Sequence, residues 1–197
     1  MLPLVDADIV HGDDIRVPQF GGELCLVFEH VSGRTVEQLL EQKKRLSLPE
    51  CRGIFRGVCA ALQYAHSQRI IHRDIKPANI MLARSGEVKV MDFGIAYEAR
   101  RSISRLTRAA AWGTPPYMAP EQELGGVSAA VDLFALSVCL YEMLTGELPF
   151  KGPNFLAQKR EGLFAPPSAL APGLHKGADA FFRTALAPEA SKRFSGA

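Results

Sequence analysis

Residues 128–146 constrain the fold more than any other stretch of the chain. Ser128 can cap a helix that runs through Leu144 and stops at Thr145 and Gly146, because glycine accepts the left-handed conformation that ends helices. Within it, Leu133, Phe134, Leu136, Val138, Leu140 and Met143 put apolar side chains on nearly every face. A helix with no polar face belongs at the buried centre of a helical domain, with other elements wrapped around it. It does not read as a membrane span. Residues 131–144 fall short of the ~20 apolar residues a crossing needs, and Asp132 and Glu142 interrupt them.

The remaining segments supply the wrapping. A buried strand is expected at residues 23–28, entered through a turn at Gly21 and Gly22, with a second strand before it around residues 15–20. Thr35 with Gln38 forms a capping box, and Ser47-Leu48-Pro49-Glu50 repeats that signature with proline in the first turn. The second helix runs to about His66 and buries one face through Ile54, Val58, Leu62 and Ala65. Residues 80–82 and 88–91 flank Ser85 and Gly86 as a hairpin. Residues 94–114 are polar, arginine-rich and aperiodic, as a loop would be. A proline-rich connection over residues 149–172 leads to a last helix carrying Phe181, Phe182 and Leu186.

Bulk properties exclude several classes. A net charge of +2 on 197 residues is too mild to argue for nucleic acid or an anionic membrane as partner. The N-terminus lacks the basic start and apolar core of a signal peptide. Cys25, Cys51, Cys59 and Cys139 form no C-x-x-C pair and sit in apolar stretches, so they read as reduced core thiols of a cytoplasmic protein.

Chemistry concentrates in His72-Arg73-Asp74-Ile75-Lys76-Pro77-Ala78-Asn79 and in Asp92-Phe93-Gly94. A lone aspartate, lysine or asparagine in a loop is an ordinary turn residue. Together and in this order they supply a general base (Asp74), a cation that can reach a phosphate (Lys76) and two oxygen donors for a metal. Those donors, Asn79 and Asp92, lie at the two ends of the predicted hairpin. Oxygen ligands suit Mg²⁺, and the set is equipment for moving a phosphoryl group from a magnesium-bound nucleotide to a hydroxyl. Gly94 allows the turn that presents Asp92, Phe93 anchors that turn in the core, and His72 is given a packing role.

These strings resemble, residue for residue, the catalytic loop and metal-binding turn of eukaryotic-type protein kinases, in wording closest to bacterial eukaryotic-like serine/threonine kinases. Gly113-Thr114-Pro115-Pro116-Tyr117-Met118-Ala119-Pro120-Glu121 is similar to the segment that closes a kinase activation loop. The resemblance implies that Thr114 bonds near Asp74 and Lys76, that Glu121 pairs with a buried Arg193, and that Asp132 holds the catalytic-loop backbone. Leu26-Val27-Phe28-Glu29-His30-Val31 is similar to the fifth strand and hinge. That likeness makes Phe28 the gatekeeper, Glu29 and Val31 the backbone partners of adenine, and Met81 the floor beneath it. Lys76 favours serine/threonine over tyrosine specificity. Arg73 beside Asp74 implies a basic pocket that a phosphorylated activation loop would neutralise, with Ser104 and Thr107 as the acceptors and Ser102 behind them.

The implied fold is α+β and mainly α. Residues 31–197 form a kinase-like C-terminal lobe lacking the final helix, and residues 1–30 a remnant of about two strands from the N-terminal β lobe. No G-x-G-x-x-G turn, no V-A-I-K-like lysine and no helix-borne glutamate partner precede the motif, so both ends are expected to be cut. The expected function is ATP-dependent phosphoryl transfer to protein serine and threonine, with ATP and Mg²⁺ (or Mn²⁺) as cofactors. The isolated partial domain is expected to be weak or inactive; no nucleic-acid partner and no membrane segment are expected. The alternative is a non-catalytic kinase-like binding or scaffold module, against which the intact Asp74, Lys76, Asn79 and Asp92 weigh. Small-molecule phosphotransferases are disfavoured by Arg73 and by residues 113–121 with Arg193.

Overall fold

A computed structural model describes residues 19–20, 23–24, 30–93 and 113–197 of the chain. The chain divides into two compact units, residues 1–32 and 33–197. In the first, strands β1 (Gln19–Phe20) and β2 (Glu23–Leu24) pair antiparallel, with Phe20 opposite Glu23. The predicted turn at Gly21 and Gly22, and the rest of the two predicted strands, lie outside the described residues.

In the second unit, the all-round apolar helix α4 (Ala129–Thr145) buries 12 of its 17 residues. Two of its hydroxyls are satisfied within the helix, Ser137 donating to the Leu133 carbonyl and Thr145 to that of Tyr141, while the Tyr141 hydroxyl donates outward to the Ala165 carbonyl. Gly146 ends it in the left-handed conformation, at φ 76°. Helix α2 (Leu48–Ser67) packs along α4 and buries Cys51, Ile54, Val58, Leu62 and Ala65. At its start the Glu50 carboxylate accepts from both the backbone N–H and the hydroxyl of Ser47. The short helix α1 (Val36–Lys43) opens with the Thr35–Gln38 capping box. Helix α7 (Gly177–Ala185) closes the far side, where Phe182 meets Tyr141 edge to face at 5.4 Å.

One strand was not anticipated and one expectation needs correction. The predicted hairpin forms from β4 (Ile80–Ala83) and β5 (Val88–Val90), and β3 (Gly33–Thr35) pairs antiparallel with β4 to make a three-stranded sheet. Three residues are too few to show a period, and their pairing partners lie nearly fifty positions away in sequence. The proline-rich stretch is also more than a connection. It contains α5 (Phe155–Glu161) and α6 (Pro167–Leu170). Prolines punctuate these helices instead of preventing them: Pro153 precedes α5, and Pro167 occupies the first turn of α6, where its missing N–H costs nothing. Among the described residues no helix is long and apolar enough to cross a membrane.

Two glycines of α2 predict opposite outcomes for one substitution. A Cβ at Gly57 would stand 2.5 Å from Val88 Cβ, whereas one at Gly53 would meet nothing within 4 Å. Gly53→Ala should stabilise the chain by up to about 1 kcal/mol through helix propensity. Gly57→Ala should destabilise it by about 1–3 kcal/mol through overpacking. Adding Val88→Ala should remove most of the Gly57→Ala penalty, which urea denaturation of the single and double variants measures.

Candidate active site

The loop between α2 and β4 is hung from the first turn of α4. Asp132, 1% exposed, accepts from the backbone N–H of His72 (2.9 Å) and His66 Nε2 (2.8 Å) through Oδ2, and from the backbone N–H of Arg73 (2.8 Å) through Oδ1. A buried carboxylate needs that number of donors to offset its lost hydration. The anchoring holds Arg73 at φ 71°, a region that non-glycine residues rarely adopt. Gln122 Nε2 adds a 2.6 Å bond to the Arg73 carbonyl. His72 is packed inward. Its Nε2 lies 2.7 Å from the Met91 carbonyl and its Nδ1 faces the Asp74 N–H, so the ring proton sits on Nε2. The Phe93 ring meets it edge-on at 4.7 Å. His66 was missed by the sequence reading. Its only signal was a basic residue in the last turn of a helix, an ordinary place for one.

Below this anchor three side chains close a triangle. Lys76 Nζ donates to Asp74 Oδ2 (2.7 Å) and to Thr114 Oγ1 (3.0 Å), and Thr114 Oγ1 donates to Asp74 Oδ1 (2.9 Å). The Asp74 side chain remains 35% exposed, so an incoming hydroxyl could reach it. Asn79, in the short 3-10 turn Pro77–Asn79, commits its amide nitrogen to the Asp74 carbonyl at 2.8 Å. That leaves its Oδ1 as the atom able to face a cation. Met91 N–H donates to the Asn79 carbonyl at 2.8 Å and extends the β4–β5 ladder, so Asn79 and the exposed Asp92 flank its open end. One amide oxygen and one carboxylate fit Mg²⁺ carried by phosphates, which keeps much of its shell in water and substrate oxygens. They do not form a cage; among the described residues no group of three or more His, Cys, Asp or Glu could hold a metal.

Residues 113–121 are held from the opposite side. Arg193, its side chain 1% exposed, grips Glu121 with both terminal nitrogens (2.6 and 2.8 Å). Its other N–H groups go to the carbonyls of Ala187, Pro188 and Ala130, so all five donors have acceptors. Tyr117 Oη donates to Glu142 at 2.7 Å, a pair the sequence reading did not name. Burial pushes the Glu142 carboxyl up, partly opposed by the Tyr117 bond. Of the remaining candidates, Met81 lies in β4 opposite Thr35, and Val31 is half-buried in the first unit. Phe28, Glu29, Gly94, Ser104 and Thr107 lie outside the described residues.

The protein kinase domain family matches residues 13–195. The chain is 40% identical over 191 residues to the probable serine/threonine-protein kinase PknB of Bifidobacterium longum, covering 94% of this chain and 27% of that protein. It is 38% identical over 177 residues to the serine/threonine-protein kinase PknB of Mycobacterium tuberculosis, covering 87% and 28%. It is 37% identical over 206 aligned positions to the probable serine/threonine-protein kinase CE0033 of Corynebacterium efficiens, covering 100% and 30%. The chain thus spans less than a third of the length of these curated relatives.

A buried and an exposed ion pair differ in what they predict. Glu121→Ala strands the Arg193 charge and should cost about 3–5 kcal/mol in urea denaturation. Lys43→Ala, which breaks the exposed Lys43–Glu50 pair, should cost about 1 kcal/mol or less. Glu142 predicts a pH dependence. Its raised carboxyl means the folded chain holds that proton to higher pH than the unfolded chain does. The folded state then binds more protons in that window, so stability falls as pH climbs past the ordinary glutamate value of 4.5. In Glu142→Gln that decline should be shallower, as urea midpoints across the mildly acidic range would show.

Proposed function

The chain belongs to the protein kinase domain family, and on that premise we propose that it carries out ATP-dependent phosphoryl transfer to serine and threonine hydroxyls of proteins. Its fold is α+β and mainly α, a kinase C-terminal lobe with a remnant of N-terminal-lobe strands; we place the boundary between residues 1–30 and 31–197. The observation that carries the proposal is the closed Asp74–Lys76–Thr114 triangle, with every edge at 3.0 Å or less. A carboxylate alone would be a turn residue. A carboxylate with both oxygens oriented by a lysine and a threonine, yet open to solvent, is a base held in place.

In this reading Asp74 accepts the proton of the substrate hydroxyl and aims its oxygen for in-line attack. Thr114 fixes the Asp74 rotamer, and Lys76 turns its ammonium towards the transferring phosphate. Asn79 Oδ1 and Asp92 would hold Mg²⁺, which when bound neutralises phosphate charge. Phe28, Glu29, Val31 and Met81 would line the adenine site, and Ser104 and Thr107 would accept regulatory phosphate. The proposed setting is the cytoplasm, with protein substrates and no nucleic-acid partner. The 197 residues contain no G-x-G-x-x-G turn or V-A-I-K-like lysine before the site, so on their own they should turn over slowly.

Transfer of labelled phosphate from Mg-ATP to a serine/threonine-rich protein tests this. The chain alone should give slow incorporation, and the chain preceded by the N-terminal lobe of a relative should give much faster incorporation. Asp74→Asn should lower either rate by about 10²–10⁴-fold. Absence of both incorporation and Mg-ATP binding in the extended protein would favour a non-catalytic binding module.

A further inference from the structure

Lys159 is the one lysine among the described residues whose side chain is wholly buried. It projects from α5 and donates to the Pro115 carbonyl and to Glu123 Oε1, both at 2.6 Å. Its ammonium also lies 5.6 Å from the Phe155 ring centroid. Burying an ammonium costs several kcal/mol before pairing, and an apolar side chain would fill the same space without that cost. The charge is therefore explained by what it holds.

What it holds is the peptide next to Thr114. Pro115 and Pro116 have no N–H, so their backbone can hydrogen-bond only through its carbonyls. The Thr114 carbonyl accepts from the Tyr117 N–H at 2.9 Å, and the Pro115 carbonyl accepts from Lys159. Glu123, in the short helix α3 (Pro120–Glu123), ties the same ammonium to the far end of the segment. We propose that Lys159 is a positioning residue for Thr114, acting through the Pro115 carbonyl to set the hydroxyl that bridges Asp74 and Lys76. Its relevance to catalysis rests on the phosphoryl-transfer reading of that triangle, whereas its geometry does not. Desolvation pulls the Lys159 ammonium below the ordinary lysine range and Glu123 opposes this, as a paired but buried cation requires.

The test needs no turnover, so it stands or falls separately from kinase activity. Methyl and amide NMR of the 197-residue chain reads the Thr114 methyl and the exchange rate of the Tyr117 amide. In Lys159→Met the Thr114 methyl should shift, and Tyr117 exchange should rise about tenfold or more, while amides of α4 keep their protection. Glu123→Gln removes the ion pair but leaves the Pro115 bond, so Thr114 should stay at its original position. A folded Lys159→Met with Thr114 and Tyr117 unchanged would overturn the proposal, because Lys159 would then only join α3 to α5. A Thr114 shift in Glu123→Gln would overturn it as well, and that result does not depend on Lys159→Met folding.

Discussion

Asp132 is the point on which the rest of the site hangs. Its carboxylate sits in the first turn of a helix buried on nearly all sides, where an unpaired charge would be costly. The donors that relieve it are the backbone N–H groups of His72 and Arg73 and the ring of His66. The stabilisation of a core charge and the position of the loop are thus one interaction. Arg73 can remain in a left-handed conformation because its neighbours are fixed, and that conformation sets the direction in which Asp74 leaves the loop.

The second half of the site reaches Asp74 from elsewhere in the chain. Thr114 lies 40 residues from the aspartate it bonds. It is carried by a segment clamped at Glu121 by Arg193, 72 residues further on, and at Pro115 by Lys159, 44 residues on. Buried ion pairs contribute little to stability compared with apolar packing, but they tolerate only one arrangement of their partners. Here that selectivity orients two independently anchored segments towards each other. The triangle of Asp74, Lys76 and Thr114 closes where they meet.

Several features were legible because their causes are local. The Thr35–Gln38 capping box, the Gly146 stop, and the buried face of α2 each depend on residues within one or two helical turns. The spacing of Asp74, Lys76 and Asn79 is also local, and a single 3-10 turn is enough to fold Asn79 back onto the Asp74 carbonyl. Other features gave no local sign. The strand at Gly33–Thr35 exists only through its pairing with β4, and α5 and α6 were hidden by counting prolines without asking where in a helix each would fall.

The amino-acid sequence by itself therefore determined helices α1 and α2, the buried central helix α4 and the motif spacing that groups Asp74, Lys76 and Asn79. Caps, periods and motif spacing act over a few residues and need no tertiary contact. Tertiary structure decided which charges lose their water. Lys159 reads in sequence as one of several basic residues in a proline-rich connection, and His66 as a basic residue at the end of a helix; packing buried the first beneath Pro115 and brought the second to Asp132. Desolvation depends on everything that surrounds a group, and for these residues the surroundings come from segments dozens of positions away.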